Sequence, residues 1–506
     1  MRSSTDAAGL ATIMEPRTDL VLERAMGDGR FDAAEGPVRA YRRTVAVRPA
    51  PDGPALLVTQ EIDFRLAVPY FGWLFVRPFK RAMSRPAAAG GGAPWWAPPG
   101  RLDARAASVL GTLALLTVVS GYLGTLFTQT IPFAGDEFGA GNQALGVAGS
   151  VVRVGGLVAL VVVIQADRRG RKRVLVAAAA AGCVLAVTGA LAPSLAWLAA
   201  SQLLARAFAT AVLLLVTIVA AEEMPARSRA YAVSLLAMSS GLGAGLCVMA
   251  LRFADLGTRG WRLLYLLPVV ALPIVVAVHR DLPESRRYVA PHAQARMGGH
   301  GGRLLLLAVS GFLANLFVAP NSQFGNQYLR TERGFSGGRI ALFSLTAGTP
   351  AVMGIVAGGR TADVRGRKLV AAVALFAGTL VTLGYYFTQG WAMWVLALVG
   401  TVIAAAAIPA LGVYGPELFP TSLRGRANGL VAVSSLVGSA AGLILCGVIS
   451  DRVGRIGPAM AMVSAGPVIL AVVVLALYPE TAGRELEDLN PEDLNPENRQ
   501  GPVPSP

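Results

Sequence analysis

Two arginines sit where arginines are expensive. Arg153 and Arg206 each fall in the middle of an apolar run long enough to cross a membrane. A guanidinium at that depth costs about 2.5–3.5 kcal/mol on an insertion scale, so such a group faces a wet cavity and takes a partner. Yet no Asp or Glu lies well inside any of these runs; the nearest are Asp136 and Glu137, just after the first. Two cations without a fixed counter-charge suit a small carboxylated guest, whose carboxylate would meet a guanidinium in a two-pronged contact. The competing reading pairs Arg153 with Glu137 or with backbone carbonyls. Gln129, Asn315, Asn321 and Gln323 would supply neutral hydrogen bonds to a solute, and Tyr122 and Tyr414 are further polar candidates. Nothing else resembles a reactive set. The three histidines (His279, His292, His300) crowd one central loop, and Cys183, Cys247 and Cys446 lie in apolar runs as free thiols. With no metal-ligand spacing and no nucleophile–base spacing, neither an enzyme nor a metal or cofactor site is expected.

The elements that must position these residues are membrane helices. Of 506 residues, 54% are hydrophobic and 15% charged, against about 25% charged in a soluble domain; the mean hydropathy is +0.55. A helix rises about 1.5 Å per residue, so about 20 apolar residues cross the hydrocarbon core. Twelve such stretches occur, near 107–131, 143–165, 174–192, 195–221, 231–251, 261–279, 303–328, 339–358, 369–388, 391–414, 427–449 and 457–478. Glycines such as Gly241, Gly243 and Gly245 are read as close helix packing rather than a nucleotide loop. The net charge of +15 is read as membrane topology, with no nucleic-acid partner. Placing the N-terminus inside puts Arg168, Arg169, Arg171, Lys172, Arg173, Arg227, Arg229, Arg280, Arg286, Arg287, Arg360, Arg365, Arg367, Lys368, Arg424 and Arg426 on the cytoplasmic side. Few basic residues remain opposite, so both termini are expected inside a multi-pass protein of the cell membrane.

Residues 1–104 form a cytoplasmic extension in this reading, without a secretory signal. Residues 41–49 and 55–65 alternate apolar and polar around a Pro-Gly-rich turn, which predicts a β-hairpin. Tyr70, Phe71, Trp73, Phe75 and Phe79 then mix with Arg77, Lys80 and Arg81, which fits either a helix on an anionic membrane surface or a flap packed on the bundle. A linker at 86–100 follows. The tail, 479–506, repeats Glu-Asp-Leu-Asn-Pro and is expected to be disordered.

A shift of 195 or 196 residues matches the chain to itself at charged positions. Asp167-Arg168-Arg169-Gly170-Arg171-Lys172 becomes Asp363-Val364-Arg365-Gly366-Arg367-Lys368. Glu222, Pro225 and Arg229 become Glu417, Pro420 and Arg424, and Pro283-Glu284-Ser285 becomes Pro479-Glu480-Thr481. The chain therefore divides into a six-helix bundle at 105–279, a central cytoplasmic loop at 280–302 and a second bundle at 303–478. Two parallel repeats about a central cavity is an architecture of alternating-access transporters.

On these motifs the chain resembles the major facilitator superfamily, and within it the sugar-porter-like branch. Asp-Arg-x-Gly-Arg-Lys after the second span is similar to the superfamily's signature loop; the second copy keeps its leading glycine, Gly359, where the first has Val163. Pro283-Glu284-Ser285-Arg286-Arg287-Tyr288 and Pro479-Glu480-Thr481-Ala482-Gly483 are similar to the branch's motifs after spans six and twelve. The resemblance covers residues of about 105 to 487 and implies an all-α integral membrane fold of twelve helices in two pseudo-symmetric bundles.

The matched charges, Asp167, Arg168, Gly170, Arg171, Glu222, Arg229, Asp363, Gly366, Arg367, Glu417 and Arg424, are then expected to form a cytoplasmic gate that pairs when the inner side closes. The alternative is that they only anchor the helices and set topology. Arg206 falls where the superfamily often places an arginine in its fourth helix. The aspartate that works with it in proton-coupled sugar porters is replaced in Gly121-Tyr122-Leu123, and Asn315-Leu316-Phe317-Val318-Ala319-Pro320-Asn321 keeps only the amide ends of the sugar-branch pattern. The favoured expectation is therefore a secondary active or facilitative transporter of a small organic anion, monomeric, with protons a candidate coupling ion for symport. A sugar or polyol porter, a multidrug exporter and a transporter-like solute sensor are the alternatives.

Overall fold

The computed structural model describes residues 2–5, 7–49, 56–85, 94, 96–98, 100–225, 228–284, 301–412, 414, 418 and 424–480. The Pro-Gly turn at 50–55, most of the 86–100 linker, most of the central loop and the tail from 481 lie outside the described residues.

The N-terminal segment is a five-stranded antiparallel sheet, wider than the hairpin its alternation predicts. Strands β1 (Arg2–Thr5), β2 (Leu22–Gly27), β3 (Arg30–Glu35), β4 (Val38–Pro49) and β5 (Leu56–Leu66) lie in the order β1-β5-β4-β3-β2. β4 and β5 pair from Val38↔Leu66 to Pro49↔Leu56. The β2–β3 connection turns through Gly27, Asp28 and Gly29, all at positive φ, so its Gly-Asp-Gly signal is a hairpin code that the longer alternation of β4 and β5 overshadows. Helix α1 (Ala7–Met14) lies between β1 and β2 in the chain, and α2 (Gly72–Met83) follows β5.

One face of the sheet packs on α2. Leu20, Val21, Val38 and Tyr41 are buried with Phe79 and Met83, and the Phe64 and Phe79 rings lie 4.7 Å apart. Inside this core the buried Glu23 carboxylate meets Arg43 at 2.6 Å and accepts from the Tyr41 hydroxyl at 2.5 Å and the Arg17 amide at 2.9 Å. Arg43 bonds both oxygens of the carboxylate, so each is matched by at least two donors, which is what makes its burial tolerable.

Among the described residues, twelve helices are long and apolar enough to span a membrane: α3 (Ala104–Phe138), α4 (Asn142–Ala166), α5 (Arg171–Leu191), α6 (Leu195–Ala220), α7 (Tyr231–Leu256), α8 (Arg262–Asp281), α9 (Gly301–Thr331), α10 (Gly337–Ala362), α11 (Arg367–Gly384), α12 (Gly390–Gly412), α13 (Gly429–Val453) and α14 (Ile456–Leu477). They correspond one for one to the twelve apolar stretches of the sequence. Local signals set their ends. Asp103 accepts from the Ala106 amide at 2.6 Å and caps α3, Ser194 caps α6, and Gly139 ends α3 in the left-handed region. The pair α3–α7 packs in the first bundle as α9–α13 packs in the second, and the two bundles meet mainly through α4 with α13 and α7 with α10. The three cysteines are buried free thiols.

Because α3 starts beside the extension, the end of the bundle that carries Arg171 and Arg367 is called the basic end, and the opposite end the distal end.

Candidate functional site at the junction of the two bundles

Arg153 and Arg206 come together because a glycine lets their helices touch. A Cβ on Gly155 would stand 2.3 Å from the Leu203 carbonyl oxygen, so α4 and α6 approach backbone to backbone there. Both arginines are half-buried, on helices whose backbones meet at Gly155. Their hydrogen-bond partners are neutral. Arg153 donates from Nη2 to the Ser322 hydroxyl of the second bundle at 3.1 Å, and Arg206 donates from Nη1 to the Gly124 carbonyl at 2.8 Å. Among the described residues no carboxylate pairs with either. Glu137 is held elsewhere, by Arg262 at 2.8 Å, Trp261 at 2.8 Å and Arg259 at 3.4 Å, so the alternative Arg153–Glu137 pairing does not occur. Glu137 belongs to the last turn of α3, and its ring of partners caps the distal end of the first bundle.

The amides and tyrosines named from sequence divide into three groups. Gln129 and Gln323 bridge the bundles: Asn326 Nδ2 donates to Gln129 Oε1 at 2.8 Å, and Gln323 Nε2 donates to the Leu145 carbonyl at 2.8 Å. Asn315 and Asn321 bond within the second bundle, to the Gly311 carbonyl, the Ser439 hydroxyl and the Tyr386 hydroxyl. The tyrosines bond to backbone carbonyls. Tyr122 donates to the Leu264 carbonyl at 2.8 Å. Tyr414 is fully buried near the basic end, with its ring 4.7 Å from Tyr478 and its hydroxyl donating to the Pro479 carbonyl.

The bundles are fastened to each other on the distal side. The hydrogen bonds described between them, such as Ser150 to the Ala440 carbonyl at 3.1 Å, run from the level of Arg153 and Ser322 outward to the distal loops. Asp136 of α3 pairs with Arg330 of α9. Asp451 accepts from the Asn142 and Gln143 amides at 2.8 and 2.6 Å, capping α4. Asp255 accepts from the Gly337 and Gly338 amides at 2.6 and 2.8 Å, capping α10. A carboxylate in the first turn meets both unpaired N–H groups and the positive end of the helix dipole. Sequence reasoning missed the contacts of these three carboxylates. The repeat offset held the signal, since Asp255 and Asp451 are 196 residues apart.

At the basic end two ion pairs form inside the first bundle. Arg171 forms an ion pair with Glu222, and Arg105 pairs with Glu223 at 3.2 Å. Glu284 accepts from the Lys172 amide at 3.1 Å at the start of α5. Its repeat counterpart, Glu480, accepts from the Arg367 and Lys368 amides at 3.0 and 3.2 Å at the start of α11. Gly170 and Gly366 make room for these caps: both hold positive φ, and a Cβ on Gly366 would come within 2.7 Å of Glu480. Glu417 lies outside the described residues, and only the backbone is described at Asp167, Arg168, Arg229, Asp363 and Arg424.

Comparison with known proteins agrees with this architecture. The sequence model of the Major Facilitator Superfamily matches residues 113–319 and 304–501. The xylose transporter XylE from E. coli, in an inward-open conformation, superposes with a TM-score of 0.64 at 18% identity, covering 76% of this chain and 99% of that one. The nucleoside transporter NupG gives a TM-score of 0.64 at 13% identity, over 73% of this chain and 100% of that one. A bacterial homolog of the human lysosomal transporter Spinster, inward-facing and unoccupied, gives 0.60 at 15% identity, over 73% and 94%.

Proposed function

This chain belongs to the Major Facilitator Superfamily, and from that premise we propose that it carries a small organic anion across the cell membrane by alternating access. The observation that carries the choice of substrate is the Arg153–Arg206 pair. Two cations share one level of the bundle, are met by a hydroxyl and a carbonyl, and have no described carboxylate. An anionic solute would supply the missing charge, and a planar guanidinium is the group suited to grip a carboxylate. Arg153 also reaches across to Ser322 of the second bundle, so a guest bound there touches both moving halves.

The basic end is taken as cytoplasmic because Lys and Arg collect on that side. The distal closure then corresponds to an inward-open state, with the arginines reached from the cytoplasm. In this reading the substrate enters as the distal caps separate, and the matched basic-end charges, including Glu222, Arg229, Glu417 and Arg424, tighten in the opposite state. The Arg171–Glu222 pair forms within one bundle, so it braces a half rather than bridging the two.

A sugar or polyol porter is the second reading. The Pro-Glu-Ser and Pro-Glu-Thr motifs support it, as does the likeness to a xylose transporter. The test is uptake into proteoliposomes with a panel of mono- and dicarboxylates and of hexoses and pentoses, with and without a pH gradient. Carboxylate uptake that falls in Arg153→Gln and Arg206→Gln is the expected result. Uptake of neutral sugars with carboxylates ignored would overturn the anion assignment, and acceleration by an inward proton gradient would identify symport.

A further inference from the structure

The extension does not simply lie on the bundle; it roofs a cavity of about 700 Å³, within the about 300–1,000 Å³ of small-molecule sites. One wall is membrane helix: Leu110 and Ala114 of α3 with Leu235 and Met238 of α7. The other is the extension, through Phe75 of α2 and Trp96. The lining is predominantly apolar, and among the described residues no side chain fills it. We propose that this cavity holds an acyl chain of an anionic phospholipid drawn from the leaflet at the basic end.

Three observations support that occupant. First, the cavity lies against two spanning helices, and its wall runs on into apolar side chains turned outward, Met238 at 72% and Leu242 at 54% exposure. On a spanning helix such side chains meet lipid, so the cavity is continuous with the hydrocarbon. Second, α2 has apolar side chains that turn away from the cavity and stay exposed: Trp73 is 72% exposed and Val76 41%. Beside them on the same helix Arg77, Lys80 and Arg81 are exposed, and the helix contains no acidic residue. Aromatic and aliphatic groups interleaved with cations are the pattern of a helix seated at an anionic lipid surface. The two sequence readings of this segment, interfacial helix and packed flap, are thus opposite faces of one element. Third, the roof is fastened down. Tyr70 donates to Asp281 at the end of α8 at 2.8 Å, Ser228 exchanges hydrogen bonds with Gly100, and Tyr231 donates to the Trp96 carbonyl at 3.0 Å. A cavity held between fixed walls keeps its shape when empty, which lowers the ordering cost of binding.

Trp96 lines the cavity and provides the readout. The full chain is reconstituted in vesicles of phosphatidylcholine and phosphatidylglycerol, with brominated acyl chains on one lipid or the other. The Trp96 contribution is the difference between the parent protein and Trp96→Phe; the Trp73 contribution, obtained likewise, reports the surface. Brominated phosphatidylglycerol should quench Trp96 at least about fivefold more effectively than brominated phosphatidylcholine at equal mole fraction. The triple variant Arg77→Gln, Lys80→Gln, Arg81→Gln should bring the two lipids level. Filling the cavity with Ala114→Leu and Leu235→Phe should protect Trp96 while Trp73 stays quenched. Equal quenching of Trp96 by both lipids in the parent protein would overturn the proposal. So would stronger quenching by free brominated stearic acid, or a filled variant that behaves like the parent.

Discussion

Asp255 and Asp451 stand at equivalent places in the two bundles, and each caps the first turn of a helix in the other bundle. Asp255 at the end of α7 binds the start of α10, and Asp451 near the end of α13 binds the start of α4. The exchange is reciprocal, so a rocking motion that opens the distal side must break both caps together. Replacing a capping side chain costs about 0.5–2 kcal/mol. Asp255→Ala and Asp451→Ala should therefore each shift the closed-to-open ratio by a factor of about 2 to 30. Spin labels at Leu191→Cys and Trp391→Cys, on distal ends of opposite bundles, would report a longer distance population. An unchanged distance distribution in the double variant would show that the caps do not hold the distal side shut.

The arginine pair makes a sharper demand on chemistry than on charge. Arg206→Lys keeps the cation and loses the planar fork. If a carboxylate is gripped in two-pronged fashion, affinity should fall by about 10- to 150-fold, corresponding to about 1.5–3 kcal/mol for a hydrogen bond to a charged group. Thermal-shift titration with the best transported acid measures it. Equal affinity for Arg206→Lys and the parent would remove this arginine from the binding site.

Glu284 and Glu480 cap α5 and α11 at corresponding positions. Glu480→Ala should lower thermal stability by about 1 kcal/mol, the usual scale of a lost cap, and slow transport. Glu480→Gln keeps an acceptor for the amides but not the charge that favours a helix N-terminus, so it should fall between the two. Melting curves and initial uptake rates, taken on the same preparations, give the order.

Inside the extension, Glu23 is buried and bonded to Arg43, Tyr41 and the Arg17 amide. Removing one partner of a buried ion pair costs about 3–5 kcal/mol. Glu23→Ala should therefore unfold the sheet, with hydrogen exchange rising across residues 22–66 while the spans stay protected. Protection lost equally in the spans would mean that the extension and the bundle fold as one unit.

Tyr70 gives the extension a pH dependence. Burial of its hydroxyl, then its hydrogen bond to Asp281, push its pKa up from 10.0 to about 12. A group whose folded pKa is raised contributes fully below its unfolded value and is lost as pH rises through the folded one. Attachment at this point should therefore hold below about pH 10 and weaken toward pH 12. Limited proteolysis between residues 84 and 104 over that range should accelerate in the parent and change less in Tyr70→Phe.

Much of the molecule was legible in the chain itself. Twelve apolar runs of spanning length fix twelve helices, because lipid offers the backbone no hydrogen-bond partners and forces each crossing to satisfy itself. The repeat offset fixes two like halves. Arg153 and Arg206 could be singled out because a charge in an apolar run is conspicuous whatever it touches. Tertiary structure decided everything that depends on which helix ends meet. It joined Gln129 to Asn326 and Gln323 to the Leu145 carbonyl across the bundles, set Tyr414 among buried aromatics, and held Glu137 on Arg262 rather than Arg153. It also made two unremarkable aspartates the fastening of the distal side. Asp255 and Asp451 look like ordinary polar residues at the ends of apolar runs, because their partners are backbone amides, and every residue except proline has one. Such a contact leaves no mark in side-chain composition; only the packing of one bundle on the other brings the carboxylate and the open helix turn together.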